Sequence, residues 1–121
     1  MSNIYIIILF VIAASIGVAL LTFVLKDKKR PILLVGIHGI IALSAYGVLT
    51  YAIGEDARII PDPYNLETYS FIAFSLAAVG GLYMLIRDKL LKLGIQKWMP
   101  FLHGGLALTG IIILIIATIL K

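Results

Sequence analysis

Cysteine is absent from the 121-residue chain. That excludes disulfides, thiolate metal ligation and thiol redox chemistry, and with them a membrane dithiol oxidase. Charge is scarce too: Asp, Glu, Lys and Arg together make up 13% of positions. None of them falls in residues 4–25, 32–53, 69–86 or 101–120. Histidine occurs twice and tryptophan once.

What is present is apolar. Hydrophobic residues fill 62% of the chain and the mean hydropathy is +1.12, well outside the soluble range. A helix needs about 20 mostly apolar residues to cross a bilayer, and each uncharged stretch reaches or approaches that length, the third by extending back to about residue 67. The expectation is an all-α membrane protein of one domain, residues 1–121. It is a four-helix transmembrane bundle with spans at about 4–25, 32–53, 67–86 and 101–120. The first span has no basic residue before it and is too long for a signal-peptide core of about 7–15 residues, so it reads as a retained helix.

The net charge of +4 is explained by its placement rather than by a nucleic-acid partner. Lys26, Lys28, Lys29 and Arg30 lie between spans one and two, and Arg87, Lys89, Lys92 and Lys97 between spans three and four. The middle loop carries Glu55, Asp56, Asp62 and Glu67 against Arg58 alone. The positive-inside bias puts both basic connectors in the cytoplasm and both termini outside, in the plasma (for a bacterium, the inner) membrane.

The chain reads as two tandem helical hairpins of the same orientation. Leu25-Lys26-Asp27-Lys28 matches Ile86-Arg87-Asp88-Lys89, and each precedes a His-Gly helix. The charge motifs are offset by 61 positions and the histidines by 65, which predicts a second connector four residues longer. Helix three is expected to run on to about Lys92 until Gly94 breaks it, the alternative being an interfacial amphipathic segment anchored by Trp98. Pro61-Asp62-Pro63 predicts an extended or turn conformation in the outer loop.

Both histidines lie inside apolar spans, where an ionisable side chain is expensive and marks function by default. They open related octets, His38-Gly-Ile-Ile-Ala-Leu-Ser-Ala45 and His103-Gly-Gly-Leu-Ala-Leu-Thr-Gly110. At 1.5 Å per residue each sits roughly 9–10 Å in from the basic edge, on helices running the same way. One and two turns on come Ala42 and Ala45 in one helix, Ala107 and Gly110 in the other, with Gly36, Gly39, Gly104 and Gly105 alongside. Such a stripe leaves room for a flat ligand between the helices, or lets the helices pack closely with no ligand. In that second case the imidazoles would bond to Ser15, Ser44, Ser75, Thr109 or each other.

Ligand count selects the cofactor. Two imidazoles are too few for structural zinc, which takes four ligands. Bare copper or iron finds no carboxylate or thiolate at this depth. Haem b needs only two protein ligands, and bis-imidazole iron transfers electrons rather than binding oxygen. The candidate site is therefore His38 and His103 on the metal, with Gly39, Ala42, Gly104 and Ala107 around them. Arg30 and Lys97, with Lys26, Lys28 and Lys29, are available to haem propionates.

With its paired His-Gly-x-x-Ala-Leu runs and four spans, the chain resembles the four-helix membrane b-type cytochromes. The resemblance covers the whole chain in layout and the two octets in motif. It implies haem binding and electron exchange with quinol or a partner protein. Members of that group commonly carry more than one histidine pair and two haems; the single pair here implies one haem and exchange at one side. Tyr46, Tyr51 and Tyr83 are candidates for a quinone path, while Tyr5, Tyr51, Tyr64 and Tyr69 suit an interfacial belt. A partner subunit or a second copy of the chain is a further candidate contact.

Other four-span classes fit less well. Small multidrug exporters need a carboxylate in the first span, and small fluoride channels need basic and polar tracks within the spans; neither is present. A histidine-relay proton-coupled carrier and a non-catalytic subunit or assembly factor of a larger complex remain as alternatives.

Overall fold

The computed structural model describes residues 3–59 and 66–120, with side chains to residue 55 in the first stretch. Four α-helices form: α1 (Asn3–Leu25), α2 (Ile32–Ile59), α3 (Leu66–Leu85) and α4 (Trp98–Leu120). All four are long and apolar enough to cross a membrane. At 1.5 Å per residue the 23-residue helices α1 and α4 are about 34 Å long. Large apolar side chains such as Ile40, Leu43, Val79 and Ile119 point outward on every helix that carries them. A helix apolar all round is either enclosed by protein or bathed in lipid, and these outer faces touch no protein among the described residues.

Each hairpin packs closely within itself, α1 on α2 and α3 on α4. The hairpins meet along α1–α4 and, more loosely, along α2–α3, so α1 faces α3 and α2 faces α4 across the diagonals. The core follows an internal repeat that the charge motifs conceal. Asn3, Ile6, Phe10, Ala13 and Leu20 are buried on α1, and Glu67, Ser70, Phe74, Ala77 and Met84 are buried on α3, each 64 positions later. On the other diagonal the buried Ala45 and Leu49 of α2 correspond to Gly110 and Leu114 of α4, 65 positions later.

The single extra residue is visible in the backbone. Beyond Leu85 the third helix makes one π turn, Ile86–Leu90, in which the Leu91 N–H bonds to the Ile86 carbonyl five residues back. A π turn is how one inserted residue is absorbed in a helix. Both hairpins then end alike, with a left-handed residue at Asp27 (φ 55°) and Lys92 (φ 55°), 65 positions apart. At the first, Asp27 N–H reaches the Val24 carbonyl and Lys28 N–H the Phe23 carbonyl, which closes the helix end as a Schellman motif. The connectors thus differ by one residue rather than by the four the charge motifs suggest.

One boundary moved from expectation, and one kept its place with altered geometry. Helix α2 continues to Ile59, six residues beyond the expected end of its span, because charged Glu55, Asp56 and Arg58 are compatible with helix and are barred only from lipid. Helix three continues to Leu90 as expected, with π geometry in place of α. Pro61-Asp62-Pro63 lies outside the described residues.

Candidate functional site

The two histidines meet near the centre of the bundle. His38 and His103 come from the diagonal helices α2 and α4, with ring centroids 6.1 Å apart and planes at 77°. Each ring is anchored to the preceding helix of its own hairpin. His38 Nδ1 lies 2.8 Å from the Ala13 carbonyl on α1, and His103 Nδ1 lies 2.7 Å from the Ala77 carbonyl on α3. A carbonyl can only accept, so Nδ1 donates in both rings and Nε2 is the nitrogen left over. Among the described residues neither Nε2 has a hydrogen-bond partner, and no buried side-chain nitrogen or oxygen is left unpaired.

A helical carbonyl already bonds along its own helix, and the side chain four residues on normally covers it, since helical side chains lean back over the preceding turn. Glycine occupies that position in both hairpins. A Cβ on Gly17 would lie 3.1 Å from His38 Cε1, and one on Gly81 would lie 3.0 Å from His103 Cε1. The absent side chains expose the Ala13 and Ala77 carbonyls and let each imidazole rest against the backbone. The shared pattern is Phe-x-x-Ala-x-x-x-Gly, at residues 10–17 and again at 74–81. Nothing in the two histidine octets points to these glycines. The repeated spacing at an offset of 64 was the signal that could have tied them to the histidines.

One turn toward the acidic end, Phe10 and Phe74 stack across the other diagonal, with centroids 3.7 Å apart and planes within 2°. This stack fills the level where the small-residue stripe was expected to leave room. Ala45 is fully buried there. A Cβ on Gly110 would fall 2.9 Å from the Phe74 ring, and the Gly110 carbonyl accepts from Ser70 Oγ at 2.9 Å. At the acidic end Asn3 Nδ2 donates to Glu67 Oε1 at 3.1 Å, again joining α1 to α3. Asn3–Glu67, Phe10–Phe74 and His38–His103 are each a residue bonded or stacked on its own counterpart in the repeat. That self-pairing is what a twofold axis through the bundle produces.

The other expected site residues are placed as follows. Ala42 and Ala107 are half-buried one turn beyond the histidines, while a Cβ added at Gly39 or Gly104 would meet nothing within 4 Å. The Arg30 guanidinium is bound to Asp88 at 3.1 Å, with its side chain 10% exposed. Lys97 pairs with Asp27 at 3.5 Å and is largely in the open. Three of the four hydroxyl side chains considered as imidazole partners are engaged within their own helices: Ser15 to Val11, Ser75 to Phe71 and Thr109 to Gly105. Because the Ser75 hydrogen is committed to Phe71, the Tyr46 hydroxyl donates to Ser75 Oγ at 2.7 Å. Tyr46, Tyr51 and Tyr83 stand at three heights along α2 and α3, with Tyr51 and Tyr83 exposed.

Chemically, the centre presents two imidazoles held through Nδ1, with no hydrogen-bond partner on either Nε2 among the described residues, in an apolar setting. Among the described residues no group of three or more His, Asp or Glu side chains is arranged to hold a metal ion. Any metal held here would need its remaining ligands from something other than the protein. Comparison with protein-family models, curated proteins and solved structures gives no match for this chain.

Proposed function

We propose that the chain is a small membrane cytochrome of the b type, holding one haem between His38 and His103 for electron exchange. The observation that carries this reading is the geometry of the imidazole pair. Metal-bound histidine almost always donates its other ring N–H to a carbonyl or carboxylate, which fixes the tautomer and the ring orientation. Both rings here have that arrangement. Two imidazoles on opposite sides of one metal, at about 2.0 Å from each nitrogen, place their centroids roughly 6 Å apart. The observed separation is 6.1 Å. The same separation also suits a plain edge-to-face contact, which spans about 4.5–7 Å. The second histidine-to-carbonyl bond and the free Nε2 atoms favour the ligand reading.

His38 and His103 would hold the group and Gly17 and Gly81 would seat the rings, while the Phe10–Phe74 stack that fills the adjoining level would have to part to admit it. Arg30, paired with Asp88 at the basic end, would be a cation for a propionate. When bound, haem supplies one-electron chemistry with both axial positions filled. The protein's part is to hold two neutral imidazoles in register and keep charged groups out of the surrounding core.

The helices cross the membrane with the basic connectors in the cytoplasm and both termini outside, in keeping with the charge asymmetry. One site off the midplane suits exchange at one face, with quinol or a partner subunit. The test is an absorption spectrum of protein purified in mild detergent after expression with ample haem supply. Dithionite should give sharp reduced bands, and His38→Ala and His103→Ala should each abolish them. A colourless preparation would overturn the proposal.

A further inference from the structure

Outside the histidine centre, the two connectors at the basic end enclose an open cleft of about 560 Å³. Its walls include Lys28, Lys29, Arg30, Lys89 and Lys92, opposed by Asp27 and Asp88. Both carboxylates are already engaged. Asp88 accepts from Arg30 at 3.1 Å and lies 3.5 Å from Lys89, and Asp27 turns to Lys97 at 3.5 Å. Lys89 also donates to the Arg30 carbonyl at 3.1 Å, so the Arg30–Asp88–Lys89 group is a fixed frame. Lys28, Lys29 and Lys92 have no ion pair or side-chain hydrogen bond among the described residues. A concave wall with surplus positive charge is an anion site in want of its anion.

The cleft is also where the repeat breaks. The α1 counterparts of Arg87, Asp88 and Lys89, 64 positions earlier, are the apolar Phe23, Val24 and Leu25. The π turn is what carries Asp88 to Arg30 on the other hairpin. Duplicated packing does not account for this cluster, and inserted π turns are frequent at functional positions. Around the rim the same segment presents Leu90, Leu91 and Leu93, which are 74%, 60% and 63% exposed, while Val24 and Ile95 line the interior. Lysines facing in and leucines facing out suit a ligand with a phosphate and a hydrocarbon part.

We infer that this cleft binds the phosphate of an anionic phospholipid, with the headgroup between Lys28, Lys29 and Lys92 and the acyl region along Leu90, Leu91 and Leu93. Basic pockets between transmembrane helices bind such headgroups. The inference rests on the helices crossing a membrane and is independent of haem. Trp98, the only tryptophan, opens α4 three residues after the lining residue Ile95 and serves as the reporter at the basic end.

The test reconstitutes the full chain into phosphatidylcholine vesicles containing a minority of brominated lipid and reads Trp98 quenching. Brominated phosphatidylglycerol should quench several-fold more strongly than brominated phosphatidylcholine at equal content. Lys28→Gln and Lys92→Gln should each weaken that preference, by about fivefold per lysine replaced. Lys26→Gln, outside the cleft, should leave it in place. Equal quenching by the two lipids would overturn the inference. So would a loss on Lys26→Gln as large as that on Lys92→Gln, since general surface attraction would then explain the preference. Inorganic pyrophosphate that saturably changes Trp98 emission without any lipid preference would assign the cleft to a soluble phosphate and overturn the lipid assignment.

Discussion

The two hairpins agree at the middle of the bundle and disagree at its basic end. At the centre each contributes Phe-x-x-Ala-x-x-x-Gly from its first helix and a histidine from its second, and the pairs meet their own counterparts across the axis. At the basic end two aspartates in similar motifs have different roles. Asp27 is an exposed left-handed residue closing α1, whereas Asp88 sits in a π turn, half-buried against Arg30 and Lys89. On the proposed reading, symmetry is kept where one ligand would be approached equally from both sides. It is lost where a single surface feature is built once.

The comparison can be broken first at the glycines. Gly17→Val and Gly81→Val would drive a side chain into His38 and His103, and each should weaken haem binding about 10–100-fold, the usual effect of disturbing a ligand's support. Equal losses are expected, measured by haemin titration of each purified variant. A loss confined to one variant would show that the two imidazoles are not equivalent.

At the basic end the expectation is inequality. Asp88→Asn leaves two cations without their carboxylate and should cost about 1.5 kcal/mol in detergent unfolding, as for hydrogen bonds to charged groups. Asp27→Asn removes an open pair and should cost less than about 0.5 kcal/mol. Similar costs would contradict the distinction between the two motifs.

The smallest effect tests a detail of the core. Ser70 bonds the Gly110 carbonyl where its counterpart on α1 is Ile6, and both are fully buried. Ser70→Ala should cost about 0.6 kcal/mol, the average for interhelical hydrogen bonds in membranes. A larger loss would mean that the α3–α4 pair depends on this bond more than α1–α2 depends on packing.

Much of this was legible in the chain. The four helices, their hairpin order and the common depth of His38 and His103 follow from apolar runs and charge placement. The extension of α2 to Ile59 did not, because hydropathy marks where lipid ends and is silent on where helix ends. The π turn was hidden for a different reason: an inserted residue leaves composition and periodicity nearly unchanged. The carbonyl acceptors were missed because side-chain partners such as Ser75 and Thr109 are visible in a sequence, while a backbone group exposed by Gly17 or Gly81 is not. The repeat was read in the wrong register because Lys-Asp-Lys and Arg-Asp-Lys are the most conspicuous match and not the structural one.

The central claim is that two imidazoles, one from each hairpin, share a single haem. Titrating purified apo-protein with haemin, followed by absorbance, tests it most directly. The account predicts a low-spin spectrum that saturates at one haem per chain, absent from both His38→Ala and His103→Ala. Saturation that survives in either variant, or no saturable binding to the native chain, would contradict it.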